Sequence, residues 1–179
     1  MTSIKILPYT LIDGVPTLKD SDIIQIYNWM KNDQTLETVF YNVSKEKLTD
    51  RFFLKFWKRN DLKMFVLLHE NKVGGMIWFD RIVDSTATIH INAFKWTWGN
   101  ISVMLFRKAV CRIFAEQNID VMIGQIPEIN KKAIKFSDRV GFDKSGIIPK
   151  ALYVERLKKK VDAYISYAVK ETFLEKYGI

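Results

Sequence analysis

The sequence predicts a single α+β domain: a sheet of six to seven strands, flanked by about four helices, in the order βααβββαβαββ. Three observations predict it. A chain of 179 residues has the length of one domain. Its hydrophobic share of 48% and charged share of 27% are those of globular proteins, enough for a core and incompatible with wholesale disorder. The apolar residues recur first at helical spacing, then at strand spacing through the middle, and the two periods alternate towards the end.

Ile4 to Ile12 reads as a strand, and Pro8 within it suits an edge. Asp20 or Ser21 can cap a helix with Ile23, Ile24, Tyr27 and Met30 on one face. Ser44 is read as the cap of a second helix, carrying Leu48, Phe52, Phe53, Phe56 and Trp57 and ending at Arg59-Asn60-Asp61. A meander of three strands follows: Leu62 to His69, Val73 to Val83, and Ala87 to Phe94. Gly74-Gly75 marks a bulge or a close backbone approach. In the third of these strands Ile89 and Ile91 face opposite to His90 and Asn92. After the break Lys95 to Asn100, an amphipathic helix runs from Ile101 to about Gln117. Ile119 to Ile126 is a strand closed by Pro127. Lys131 to Val140 is a helix stopped by Gly141, and Ile147 to Val154 with Val161 to Val169 form a hairpin.

Composition removes several function classes. One cysteine, Cys111, allows no internal disulfide, and its place in an apolar helical pattern indicates a packed thiol. With two histidines there is little material for a zinc site, and no metal is expected. No apolar run approaches a membrane span, and Met1 to Pro8 lacks the core of a signal peptide, so the cytoplasm is the expected location. The formal net charge of +8 favours phosphates in any form: nucleic acid, anionic lipid or a phosphorylated cofactor. No G-x-S-x-G, P-loop, H-E-x-x-H or paired CxxC pattern occurs.

One segment is specific. Asn130-Lys131-Lys132-Ala133-Ile134-Lys135-Phe136-Ser137-Asp138-Arg139-Val140-Gly141-Phe142 resembles the strand–helix signature of the GNAT (GCN5-related N-acetyltransferase) superfamily, and the element order resembles that fold along nearly the whole chain. In the signature an Asn caps the helix and can reach a cofactor, and a Gly gives a left-handed stop. The resemblance implies a mixed, mostly antiparallel sheet whose neighbouring fourth and fifth strands leave a gap. It also implies acetyl-CoA as cofactor and an amine acceptor.

The superfamily's other motif is a Gln/Arg-x-x-Gly-x-Gly/Ala turn whose backbone amides cradle a diphosphate at a helix N-terminus. Here the turn is Trp96-Thr97-Trp98-Gly99-Asn100-Ile101. With Gly99 as the first glycine, Ile101 replaces a small residue and Trp96 replaces Arg or Gln. A register starting at Trp98 fits the helix length but moves Gly99 off the glycine position. In either register the tryptophans block the phosphate or cover a backbone that still binds it. The resemblance assigns Phe94, Trp98, Gly99, Asn100, Ile101, Asn130 and Phe136 to the cofactor site.

Acetyl transfer needs a base for the ammonium and a donor for the leaving thiolate. The strand before the turn offers Thr88, His90 and Asn92 but no carboxylate, so His90 is the candidate base, with a packed strand histidine as the plain alternative. Ser137 stands where relatives carry an acidic tyrosine; it can orient a water. Tyr153, Tyr164 and Tyr167 are possible substitutes. Asp80 and Asp84 share a hairpin region with His90.

Three functions follow. The first is an acetyl-CoA-dependent N-acetyltransferase acting on an amine of a protein or small molecule. The second is a GNAT-fold protein without catalysis, a structural or interaction module of the kind phages encode, some of them in virions. The third is a nucleic-acid binder using Arg156, Lys158, Lys159 and Lys160 beside Tyr153.

Overall fold

In the computed structural model, which describes residues 3–178, alternating side chains build one sheet with helices on both faces. Met1 and Thr2, the head of the segment read as lacking a leader, lie outside those residues. The strands are β1 (Ile4–Pro8), β2 (Leu11–Ile12), β3 (Val15–Pro16), β4 (Lys63–His69), β5 (Lys72–Val83), β6 (Thr86–Ala93), β7 (Val121–Pro127), β8 (Asp143–Val154) and β9 (Lys159–Val169). The helices are α1 (Asp20–Asn32), α2 (Leu36–Val39), α3 (Asp50–Trp57), α4 (Asn100–Glu116), α5 (Lys131–Val140) and α6 (Lys170–Tyr177). Seven strands form the main sheet in the order β1-β4-β5-β6-β7-β9-β8, and β2 pairs only with β3. The expected mixed, mostly antiparallel sheet is present: of its pairs, only β6 with β7 is parallel.

The central strands are buried on both faces, so their apolar residues divide by parity. Ile77, Phe79 and Ile89 pack with Leu105, Phe106, Val110 and Phe114 of α4 and Phe173 of α6. Met76 and Trp78 pack with Ile26 and Met30 of α1 and Phe53 and Trp57 of α3. Phe53, Trp57, Phe79, Phe106 and Phe114 are fully buried, and each such side chain contributes about 1.5–3 kcal/mol. Gly75 permits the approach of α4, because a Cβ there would lie 2.5 Å from Phe106 Cζ.

Several expected boundaries are corrected. The first strand stops at Pro8, whose missing N–H costs nothing at the sheet edge, and one further bond, Tyr9 N donating to Met64 O (2.8 Å), closes the pairing with β4. The chain then makes a separate hairpin through Asp13 (φ 51°) and Gly14 (φ 79°). The cap of α1 is Lys19, whose N–H donates to Asp22 Oδ2 (2.9 Å). Ser44 precedes only a short 3-10 turn, Lys45–Lys47, while Thr49 Oγ1 accepts from Phe52 N (3.2 Å) and caps α3. Helices α2 and α6 are additions to the expected set, so the helices number six among the described residues rather than about four. By contrast α5 has the expected bounds, with Asn130 Oδ1 accepting from Ala133 N (3.2 Å) and Gly141 left-handed at φ 117°.

Candidate active site

β6 and β7 are paired at only three positions, Thr86–Val121, Ala87–Met122 and Thr88–Ile123. Beyond them both strands continue, β6 to Ala93 and β7 to Pro127, without pairing to each other. The sheet is therefore open along the C-terminal half of β6. Phe94 N–H turns towards β5, donating to Gly74 O (3.0 Å). Strand alternation turns the carbonyl of Ala93 the other way, towards the opening.

Helix α4 starts beside this opening. Gly99 adopts φ 102° and ψ −135°, a conformation that favours glycine, and an added Cβ would meet nothing within 4 Å. Val103 N donates to Gly99 O (3.4 Å) and Ser102 Oγ donates to the same oxygen (3.0 Å), so Gly99 begins the first turn. The amides of Asn100, Ile101 and Ser102 are first-turn donors without an intrahelical acceptor, and the helix dipole adds positive potential there. Cations from α5 reinforce it. Arg139 Nη2 donates to Asn100 Oδ1 (2.8 Å), and Lys132 Nζ lies 5.6 Å from the centre of the Trp98 ring. A cavity of about 400 Å³, lined by Asn100, Val103, Met104, Arg107, Lys108 and Tyr177, adjoins the same helix end.

The two tryptophans of the turn part company. Trp96 Nε1 donates to Val73 O (2.9 Å) and its ring meets His69, away from the gap. Trp98 Nε1 donates to Ala93 O (3.0 Å), at the gap itself. Both rings are about half exposed. Ile101 is 37% exposed, so the bulk at this small-residue position faces outward.

His90 lies on the α1/α3 face. Its ring stacks on Trp78, with centroids 5.0 Å apart and planes at 7°, and Phe40 stacks on the same indole at 6.0 Å. Nε2 is 3.2 Å from Asp80 Oδ1, an ion-pair distance, but the ring N–H does not point along it and makes no hydrogen bond among the described residues. Burial raises the Asp80 carboxyl, yet His90 and Arg81 outweigh that and hold it below its ordinary value. Tyr41 borders the group: burial pushes its phenol up, Arg81 opposes this and Asp80 adds to it. Glu155 N donates to Tyr41 O (2.7 Å), which brings the β8–β9 turn to this side.

Ser137 is on the other face of the sheet. It is buried, and its Oγ donates to Ser166 Oγ (3.1 Å) beside Gly124 of β7. Tyr164, a possible substitute, donates to Asp138 Oδ1 (2.9 Å); burial, then this bond, push its phenol up to about 12. Tyr153 is exposed on β8. The ring of Phe94 is buried against Trp29, and that of Phe136 packs on Phe106, so neither ring faces the opening freely. Cys111 is half-buried, and burial raises its thiol against the effect of Arg107.

No protein-family model matches the chain, and no curated protein sequence does. Solved structures do match. Spermidine N-acetyltransferase from Vibrio cholerae, in complex with CoA and spermine, gives a TM-score of 0.69 at 15% identity, over 96% of this chain and 98% of that one. The dodecameric structure of spermidine N-acetyltransferase from Vibrio cholerae in an intermediate state gives 0.67 at 16%, over 97% of each. Ribosomal-protein-S5-alanine acetyltransferase from Vibrio fischeri gives 0.68 at 18%, over 97% and 98%. The chain has the GNAT fold.

Within the GNAT fold five of the predicted residues form two groups at the opening. Trp98, Gly99, Asn100 and Ile101 adjoin Lys132 and Arg139 at the helix end, and His90 stands with Asp80 on the α1/α3 face. His90 and Ser137 are separated by the sheet. Asp80, Lys132 and Arg139 join these groups although no motif in the sequence names them. Their signals were present: the hairpin register sets Trp78 opposite His90, and residues 132, 135 and 139 recur on one helical stripe.

Proposed function

We propose that the protein is an acetyl-CoA-dependent N-acetyltransferase acting on an amine of a protein or small molecule. The observation that carries the reading is the parting of β6 from β7 beside the glycine-started helix α4. The site fits coenzyme A: a side chain at Gly99 would fill the space a diphosphate needs, and nothing in the protein occupies it. Gly99, Asn100 and Ile101 would hold the diphosphate through backbone amides, with Lys132 and Arg139 adding charge. The unpaired edge of β6 offers N–H and C=O groups to an extended arm that carries amides. Bound acetyl-CoA supplies an activated thioester.

The chain's own groups do the rest. His90 takes the proton of the acceptor ammonium on Nδ1, because Nε2 stands against Asp80, and the Asp80 carboxylate stabilises the resulting imidazolium. General base catalysis of this kind is worth about 10²–10⁴ in rate. Across the sheet, the Ser137–Ser166 pair beside Gly124 orients a water as proton source for the leaving thiolate. Asn130 fixes the start of α5, and Phe94 contributes backbone while Phe136 wedges α5 against α4. The cytoplasm belongs to this reading as its location.

Thermal unfolding with and without millimolar acetyl-CoA tests it. A ligand held by the native state at 100 times its Kd adds about 2.7 kcal/mol and raises the midpoint by several degrees. Gly99→Trp should remove the rise, and His90→Ala should slow thiol release about 10²-fold or more while keeping the rise. No rise in the parent protein overturns the proposal.

One observation favours a second reading, a GNAT-fold interaction module without catalysis, as in a phage virion or host-interaction component. Neither the Ser137 hydroxyl nor the Tyr164 phenol is free to donate: each already donates to a neighbour, Ser166 and Asp138. A midpoint raised by acetyl-CoA, with no thiol released from acetyl-CoA in the presence of any amine, would select it.

A further inference from the structure

The turn's departure from its motif has a specific geometry. The indole N–H of Trp98 reaches back five residues to Ala93 O, the last carbonyl of β6 directed at the gap (3.0 Å). The Trp98 ring carries the ammonium of Lys132, from the first turn of α5 and so from the opposite lip, at 5.6 Å. One side chain therefore spans both lips. It is 47% exposed, so the core does not fix it. It also directly precedes Gly99, whose φ of 102° makes a natural pivot.

We propose that Trp98 is a gate, latched to the two lips of the gap and released by a ligand that combines an anionic phosphate with an amide-bearing arm. This rests on the coenzyme A reading above. The exchange is one for one. An amide N–H of the arm replaces the indole N–H on Ala93 O, and a phosphate oxygen draws Lys132 from the indole face, where a cation–π contact is weaker than a charge-assisted hydrogen bond. A diphosphate without an arm satisfies only half of this and leaves the indole on Ala93. The gate thus opens to a ligand that carries the arm and stays latched on Ala93 O under a diphosphate that lacks it, and opening takes up part of the affinity for coenzyme A.

The test follows the Trp98 indole Nε1–H resonance, assigned by its loss in Trp98→Phe, in full-length protein. Without ligand, its exchange with water should be slow for a half-exposed ring and should quicken in Lys132→Met. Coenzyme A should move the resonance to a water-exposed position, whereas ADP at equal occupancy should not. By calorimetry, Trp98→Ala should bind coenzyme A about tenfold more tightly, the worth of the hydrogen bond and cation–π contact released, with ADP gaining only the cation–π share, about threefold. Equal coenzyme A affinity in Trp98→Ala, weaker affinity, or an indole undisturbed by saturating coenzyme A overturns the gate while leaving the cofactor reading intact. Absence of coenzyme A binding in the parent protein and in both Trp98 variants overturns the two together.

Discussion

Tyr164 shows how a single side chain records its surroundings. Its hydroxyl is held by Asp138, and burial first, then that bond, raise its pKa from 10.0 to about 12. A raised folded value means that the protonated phenol is bound more tightly in the native state. Its stabilisation is complete below pH 10.0 and is lost as pH rises towards 12. Tyr164→Phe should therefore cost about 1 kcal/mol at neutral pH, and the gap between the two proteins should close across that window in urea titrations; a constant gap would remove the bond from the account. At this scale the sequence was partly legible. Gly99, Asn130 and Gly141 could be placed because each serves a local backbone need. Asp80 could not, since its meaning depends on hairpin register and on burial beside His90.

Among the elements, α5 was legible throughout, because both of its ends are written in single residues. Helix α3 starts five residues later than expected: by residue type Ser44 is the better cap, but the turn at Lys45–Lys47 leaves that role to Thr49. Helix α6 lies beyond the last element read from the sequence, because it leaves β9 with no breaker between Val169 and Lys170; its inward residues are Phe173, Leu174 and Tyr177. The two helices nonetheless depend on each other. A Cβ at Gly141 would lie 2.4 Å from Tyr177 Cε2, in a backbone already at φ 117°. Gly141→Ala should destabilise the fold by about 2–4 kcal/mol. Adding Tyr177→Ala should recover the steric part and leave the backbone part, a coupling that a double-mutant cycle in urea would read.

For the molecule as a whole, the three-strand meander and the last hairpin followed from periodicity, and they account for three of the main sheet's six pairs; the mostly antiparallel sense was what the GNAT resemblance implied. The opening between β6 and β7 did not follow from periodicity, because it is an absence of pairing between segments far apart in sequence. The parallel seam that carries the cleft spans three residue pairs and is the sheet's sole bridge between two antiparallel halves, β1-β4-β5-β6 and β7-β9-β8. What unites the halves is the apolar side of α4, with Phe106, Val110 and Phe114 buried under α5 and α6. Such a molecule is suited to being made in two pieces. Co-expressed chains cut at the exposed Asn118 should reassemble through that helix into a stoichiometric complex, recoverable by a tag on either one; fragments that purify separately would show the seam to be the stronger joint.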